Sequence, residues 1–400
     1  MKPTRALRIL YHHRTQGRGA EGVHIVSIVR ALEGMGHHVT VLSPPGVDPL
    51  ASAGDAPVDK SNVKTTGFQS VWKWMSRNLP NALFELAEIA YNVPAARRLE
   101  AELATGRYDL VYERYAFYLL AGAFKASRHN VPFVLEANEV SGIADRARPQ
   151  TFAWLCGRFE RALFKRCSAV LTVSSHLRGM ALARGGIAPE AVRVVPNAID
   201  VEKFAAATKD KALATRLGLD GRTVMAVAGW FDKWDRLDFL MEATRRLTAD
   251  VPSASLLVIG DGPVLAAARD KAHALGVADR IVFAGAVPRS EVLRYLGLAD
   301  VAVLPHSNQF GSPVVMFEFM GLKVPVVAPR LPPIEDVHRH GDTALLFTPL
   351  DLDSFCSELG RALTSAPLRR EMADRAYAKL IAEHTWTRNA EQILEGAGLA

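Results

Sequence analysis

Between Val301 and Ala328 the chain passes from an apolar run through a polar loop to a second apolar run, and this stretch constrains the fold most. Val301 to Leu304 is short, apolar and stopped by Pro305, the pattern of a buried parallel strand. A polar loop follows, with a Gly-Ser-Pro turn at Gly311, Ser312 and Pro313. Val314 to Met320 reads as an apolar helix carrying one carboxylate, Glu318, and Val324 to Ala328 as the next buried strand. The result is a β-loop-α-β unit of an α/β protein. Such a loop delivers free backbone N–H groups and the positive end of a helix dipole, which suit a phosphate or a sugar hydroxyl. Glu318, about one turn into the helix, is in reach of a diol such as a ribose. The plainer reading is a loop that only starts a helix, with Glu318 an exposed charge. Apolar residues on both sides of Glu318 favour a carboxylate at a cleft or partly buried.

The βα alternation runs twice along the chain with no antiparallel pattern, and 400 residues suit two domains of ordinary size. A 49% hydrophobic content supplies ample core. No apolar run reaches the length of a membrane span, and Met1 to Arg8 lacks the apolar region of a signal peptide. Cys156, Cys167 and Cys356 have no metal spacing and fit buried thiols in a reducing cytosol. A cytoplasmic protein is therefore expected. Residues 1–200 hold 25 Lys/Arg against 17 Asp/Glu, while the remainder is slightly acidic. A basic first half suits an anionic acceptor, peripheral contact with an anionic inner membrane face, or simply solubility. No zinc-finger spacing or RNA-binding signature is present, so nucleic acid is not expected.

Leu7 to Tyr11 reads as the first strand, Val23 to Met35 as a helix and His38 to Ser43 as the second strand. Between the first two, Gly17, Gly19 and Gly22 match the dinucleotide fingerprint. The second strand ends in Ser-Pro-Pro without the acid that binds a nicotinamide ribose. The glycine loop therefore reads as a close backbone approach to a diphosphate or an acceptor, with Arg18 either adding charge or simply solvated. Residues 44–67 read as a long loop and 68–102 as helical, with breaks at Pro80 and Pro94. Trp72, Lys73, Trp74 and Arg77 fit either a membrane interface or core packing with a solvated face. Tyr108 to Tyr112 and Pro132 to Glu136 are the next strands. Ligands gather at the carboxyl ends of parallel strands, which makes Arg114, Asn138 and Glu139 candidates. Thr151 to Cys167 reads as a helix, and Ser175 as the cap of the next. A domain boundary is expected near residue 200.

In the second half, Thr223 to Ala228 is a strand followed by Gly229 and a loop holding Lys233 and Arg236. Ser255 to Ile259 ends in Gly260-Asp261-Gly262-Pro263, and Ile281 to Ala284 is followed by Gly285-Ala286-Val287-Pro288. Asp351 and Asp353 resemble a metal-binding pair, but they sit where a helix starts and read as N-capping. No His/Cys cluster has metal spacing.

Gly311-Ser312-Pro313 with Phe317-Glu318-Phe319-Met320, Gly260-Asp261-Gly262-Pro263, and Pro196-Asn197-Ala198-Ile199-Asp200 together resemble the family four retaining glycosyltransferases of GT-B fold. The resemblance covers nearly the whole chain and is most specific over 256–350. It implies two Rossmann-like, doubly wound domains facing a central cleft. Residues 1–199 would bind the acceptor and 200–375 the donor, with 376–400 a helix crossing back to the first domain. It implies metal-independent transfer from a nucleotide-diphosphate sugar, UDP favoured and GDP the alternative, to a hydroxyl of a small molecule, glycolipid or polysaccharide precursor. No cofactor beyond that co-substrate is implied. Glu318 would hold the ribose, and the backbone of Gly311, Ser312, Pro313 and Val314, with Lys233 or Arg236, the phosphates. Gly17, Gly19, Gly260 and Gly262 would admit the donor, and backbone near Val287 would meet the base. Asn138 or Glu139 would contact a sugar hydroxyl or the acceptor. Three positions depart from the family: its first glutamate falls on Phe310, its arginine on Trp230 and its lysine on Asp235. The departures leave open a non-catalytic or regulatory relative with an altered phosphate clamp, and a nucleotide-sugar epimerase or hydrolase on the same fold.

Overall fold

The computed structural model describes residues 5–15, 19–51, 67–143, 150–204 and 209–400. The chain divides into two compact units. One runs to Val195 and takes up Trp386–Ala400; the other spans Pro196–Thr385 and includes 55–58, outside the described residues.

The first unit holds β1 (Arg8–His12), β2 (His38–Leu42), β3 (Leu110–Arg114), β4 (Phe133–Ala137), β5 (Ala169–Thr172) and β6 (Val192–Val194). They form one parallel sheet in the order β2-β1-β3-β4-β5-β6. The Gly19–Gly34 helix buries Ile25, Ile28, Val29 and Leu32, a stripe at helical spacing that lies against Ile9 and Tyr11. The same core receives Ala390, Ile393 and Leu394 of the closing Trp386–Ala397 helix. That return starts at Trp386, ten residues after the expected 376. The preceding helix, Ala366–Glu383, buries Met372, Ala376 and Leu380 in the second unit instead.

The second unit holds β7 (Thr223–Trp230), β8 (Ala254–Asp261), β9 (Ile281–Gly285), β10 (Val301–Val303), β11 (Val326–Pro329) and β12 (Ala344–Phe347). Its parallel sheet has the order β12-β11-β10-β7-β8-β9. Side chains alternate between two separate cores, as the pleat requires. Val224, Ala226, Leu257, Ile259, Val326 and Leu346 point to one. Met225, Val227, Leu256, Val258, Val327 and Phe347 point to the other. In both units the first strand lies inside the sheet, with chain connections leaving it in opposite directions. That reversal opens the crevice in which doubly wound sheets bind ligands, beyond the carboxyl ends of the strands.

Local boundaries differ from the sequence reading where side chains decide them. The 68–102 region is three helices, Gly67–Asn78, Asn81–Ala90 and Asn92–Leu103. The second break falls at Tyr91, because Pro94 sits in the first turn of a helix, where its missing N–H costs nothing. Ser174 rather than Ser175 caps the next helix of the first unit, accepting from the Leu177 N–H at 3.3 Å. Asp351 caps the Leu352–Thr364 helix through the Ser354 N–H at 3.0 Å, and Asp353 pairs with Arg246. Among the described residues no helix is long and apolar enough to cross a membrane. Trp72 is turned into the packing, against Phe84 at 5.3 Å and Tyr91 at 6.0 Å, with the Arg14 guanidinium over its ring. Trp74 is exposed. The side chains of Lys73 and Arg77 lie outside the described residues.

Candidate functional site

The switch point of the second unit lies between β7 and β10, and the loops leaving those two strands carry most of the candidate donor residues. After β10 the chain runs through His306 and Asn308 into the Val314–Gly321 helix. Asn308 Oδ1 accepts from the N–H groups of Phe310 at 3.1 Å and Gly311 at 2.5 Å, which folds the loop into an Asx turn. Pro313 precedes the helix without a side-chain cap, and the Met316 N–H returns to the Pro313 carbonyl at 3.2 Å, so among the described residues the first turn leaves the N–H groups of Val314 and Val315 unpaired. Ser312 is buried and committed to the fold. Its Oγ accepts from the Asn197 N–H at 3.1 Å, and its carbonyl from Asn197 Nδ2 at 2.7 Å. Its side chain therefore anchors the 196–204 segment. The Gly311 N–H is already given to Asn308 and Pro313 has none, so among Gly311, Ser312, Pro313 and Val314 the offering to a phosphate is the N–H of Ser312 and of Val314.

Glu318 sits between Phe317 and Phe319, both buried, and is itself half-buried. It makes no hydrogen bond or ion pair among the described residues. Burial raises its pKa, opposed by the charge of Arg289. A desolvated carboxylate without a partner is costly, and such groups mark sites where a ligand completes the hydrogen bonding.

After β7 the loop is tightly built. Asp232 and Asp235 form a reciprocal capping box around the Lys233–Asp235 turn, with the Asp232 N–H donating to Asp235 Oδ2 at 2.7 Å. Burial pushes the Asp235 carboxyl up to about 6. Asp235, at the position where the resemblance expects a lysine, thus holds the turn together. Arg236 has φ 49°, a left-handed conformation, and donates from Nε and Nη2 to Asp238 at 2.8 and 2.9 Å. Lys233 is exposed and has no ion pair among the described residues. Of the two expected cations, Lys233 is free and Arg236 is held by a carboxylate. His306, to which sequence reasoning gave no role, has a buried Nδ1 without a partner among the described residues. Burial, and secondarily the Arg236 charge, lower its pKa.

Gly260 and Gly262 have a structural account. Both have positive φ, 127° and 153°. A Cβ at Gly260 would overlap the Gly229 carbonyl, and one at Gly262 the backbone of Phe231. They let the ends of β7 and β8 stay paired through Trp230 and Asp261. Val287 packs its side chain on the core, which leaves its backbone for any contact with a base.

In the first unit the strand ends converge on a residue that the sequence reading left inside β4. Glu136 is buried and accepts from Tyr112 Oη at 2.6 Å, Arg114 Nη1 at 2.5 Å, Tyr11 Oη at 3.3 Å and Asn138 Nδ2. His24 Nε2 lies 3.1 Å from it. Burial opposes its ionisation, but the His24 and Arg114 charges and the Tyr112 hydrogen bond outweigh burial and hold the carboxyl well below the usual range. Asn138 and Arg114 therefore face Glu136 first, and only their remaining groups are available to a ligand. Glu139 is half-buried and engaged. Beside this network, His12 Nδ1 meets Glu113 Oε2 at 2.5 Å, both buried. His13 contacts Ser43 Oγ at 2.8 Å, and burial lowers its pKa to about 3. The register of β1 against β3 pairs His12 with Glu113, and that of β3 against β4 pairs Arg114 with Glu136. Gly17 and Arg18 lie outside the described residues, and Gly19 opens the first helix.

Comparison with known proteins agrees with this architecture. Residues 21–203 match the model of Glycosyltransferase Family 4, and 221–365 that of Glycosyl transferases group 1. A D-inositol 3-phosphate glycosyltransferase of Stackebrandtia nassauensis is 27% identical over 318 residues, 75% of this chain and 70% of that protein. One of Acidothermus cellulolyticus is 26% identical over 391 residues, 94% of this chain and 84% of that protein. Among solved structures, Anabaena Alr3699/HepE in complex with UDP superposes with a TM-score of 0.72 at 16% identity, over 98% of this chain and all of that one. That likeness shows the fold: two Rossmann-like domains of the GT-B kind.

Proposed function

The chain belongs to the group 1 glycosyltransferases, and from that premise we propose a retaining, metal-independent transferase. It moves a hexose from a nucleoside-diphosphate sugar, UDP favoured and GDP the alternative, to an acceptor hydroxyl. The observation that carries the nucleotide is Glu318, an unpartnered, desolvated carboxylate one helical turn beyond the β10 loop. It has the chemistry to accept hydrogen bonds from both hydroxyls of a ribose. The N–H groups of Ser312 and Val314 and the Lys233 ammonium would meet the diphosphate, with Arg236 held ready by Asp238. The UDP bound by the Anabaena protein of the same fold supports the choice of base.

In the retaining path the acceptor oxygen approaches the anomeric carbon on the face the leaving phosphate departs from. The bond from that carbon to the phosphate oxygen breaks, the bond to the acceptor oxygen forms, and the acceptor proton passes to the departing phosphate. No side-chain base is then required. The acceptor would belong to the first unit, at Asn138, Glu139 and the strand ends around Glu136, and the basic balance of residues 1–200 suits an anionic one.

The test needs no acceptor. Water substitutes slowly in such enzymes, so the protein is incubated with α-configured UDP- and GDP-hexoses with or without EDTA, and the first free sugar is read by proton NMR. The α-anomer, unaffected by EDTA, is expected. The β-anomer would refute retention, and loss of turnover with EDTA would refute metal independence. Fast hydrolysis undiminished by any hydroxyl compound would point to a hydrolase.

A further inference from the structure

The loop after β7 presents aromatic rings where a cationic clamp is expected. Phe231 is buried and anchors the loop, and Asp232 and Asp235 close it with their capping box. Arg236 is held by Asp238. Besides Lys233, the loop offers solvent two indoles, Trp230 at 48% exposure and Trp234 at 37%. Large apolar rings left in water on a braced turn call for a ligand more than rings on a slack segment do. Both stand at the carboxyl end of β7, at the switch point where doubly wound sheets bind ligands. Indoles give a wide, flat, apolar face at small conformational cost. The matching surface is the C–H face of a pyranose ring, whose hydroxyls point outward to polar neighbours such as the exposed Lys233.

We infer that Trp230 and Trp234 form a stacking subsite for a pyranose ring beside the diphosphate position. The inference rests on the donor reading of the β7 and β10 loops. The ring could belong to the donor or to a glycoside acceptor, and the experiment separates the two. Wild type, W230A, W234A, the double alanine variant and the W230F W234F variant are compared. The glycoside arm uses saturation-transfer NMR with methyl α-D-glucopyranoside and methyl α-D-mannopyranoside. The donor arm measures the affinity of UDP-glucose relative to UDP.

A stacking subsite gives ring-proton saturation, or a preference for UDP-glucose over UDP, that falls roughly three- to tenfold per alanine and survives in the phenylalanine variant. UDP itself should bind all variants within about twofold. Loss of the sugar signal with UDP binding retained is specific to the subsite. Absence of UDP binding from wild type would count against the donor reading, and the glycoside arm then decides alone. Equal signals in wild type and the double alanine variant, or no signal in wild type, would overturn the inference.

Discussion

Glu318→Gln should move stability and nucleotide affinity in opposite directions. The carboxylate is desolvated within an apolar helix and has no hydrogen-bond partner among the described residues. Neutralising it removes a charge that the empty protein does not use. Glutamine is similar in volume but keeps a partly desolvated amide, so the gain is modest, about 1 kcal/mol. For a unit of this size that raises Tm by about 2–4 °C. With nucleotide bound the balance reverses. Two ribose hydroxyls donating to a carboxylate contribute about 1.5–3 kcal/mol each, and glutamine retains one acceptor. The net loss is about 1.5–3 kcal/mol, or roughly ten- to 150-fold in Kd. Thermal unfolding without ligand and calorimetric titration with the preferred nucleotide give the two numbers. Because burial raises the carboxyl pKa, wild-type affinity should also weaken as pH falls toward it and the acceptor is protonated, whereas the variant should be flat. A variant that is less stable when empty, or that binds within about twofold of wild type, would refute the reasoning.

Asp235→Asn tests the other raised carboxyl. With a folded pKa of about 6 against 3.8, the native state holds the proton more tightly, so stability falls as pH rises between those values. The variant should gain about 1 kcal/mol over wild type above pH 6, after allowance for solvent contact, and nothing below about pH 4; equal pH profiles in urea denaturation would contradict this. Gly122→Ala would place a methyl group on Glu113 Oε2 and drive apart the buried His12–Glu113 pair. A loss above about 3 kcal/mol in urea unfolding is expected, and a neutral result would show that the pair can shift freely. Lys233→Ala should weaken UDP about three- to tenfold and leave uridine unchanged, since only the diphosphate needs the ammonium; an equal loss for both ligands would remove Lys233 from the phosphate site.

The parts of the fold that were legible in sequence are those with local causes. Val301 to Ala328 could be read because apolar runs, a Gly-Ser-Pro turn and a lone carboxylate are all visible within 28 residues. The hub at Glu136 was hidden because it depends on register. Arg114 and Glu136 become neighbours only once β3 and β4 pair, and Tyr11 joins only through β1. A charged residue ending an otherwise apolar strand was the one available signal. The structural role of the Ser312 side chain was hidden because its partner, Asn197, lies 115 positions away. Gly260 and Gly262 had the spacing of a ligand loop, while their necessity comes from the backbone of Gly229 and Phe231. Trp230 and Asp235 looked like damage to a phosphate clamp; in the structure Asp235 braces the turn that carries Trp234, while Trp230 ends β7.

The most direct test of the central claim is thermal unfolding of the full chain with UDP, GDP, ADP or dTDP, each with and without magnesium. A ligand that binds only the folded state raises the midpoint by mass action, by about 2.7 kcal/mol at a hundredfold excess over Kd. The account predicts a shift with UDP, or with GDP as the alternative base, indifferent to magnesium and sharply reduced in Glu318→Gln. No shift with any of the four, or an undiminished shift in that variant, would contradict it.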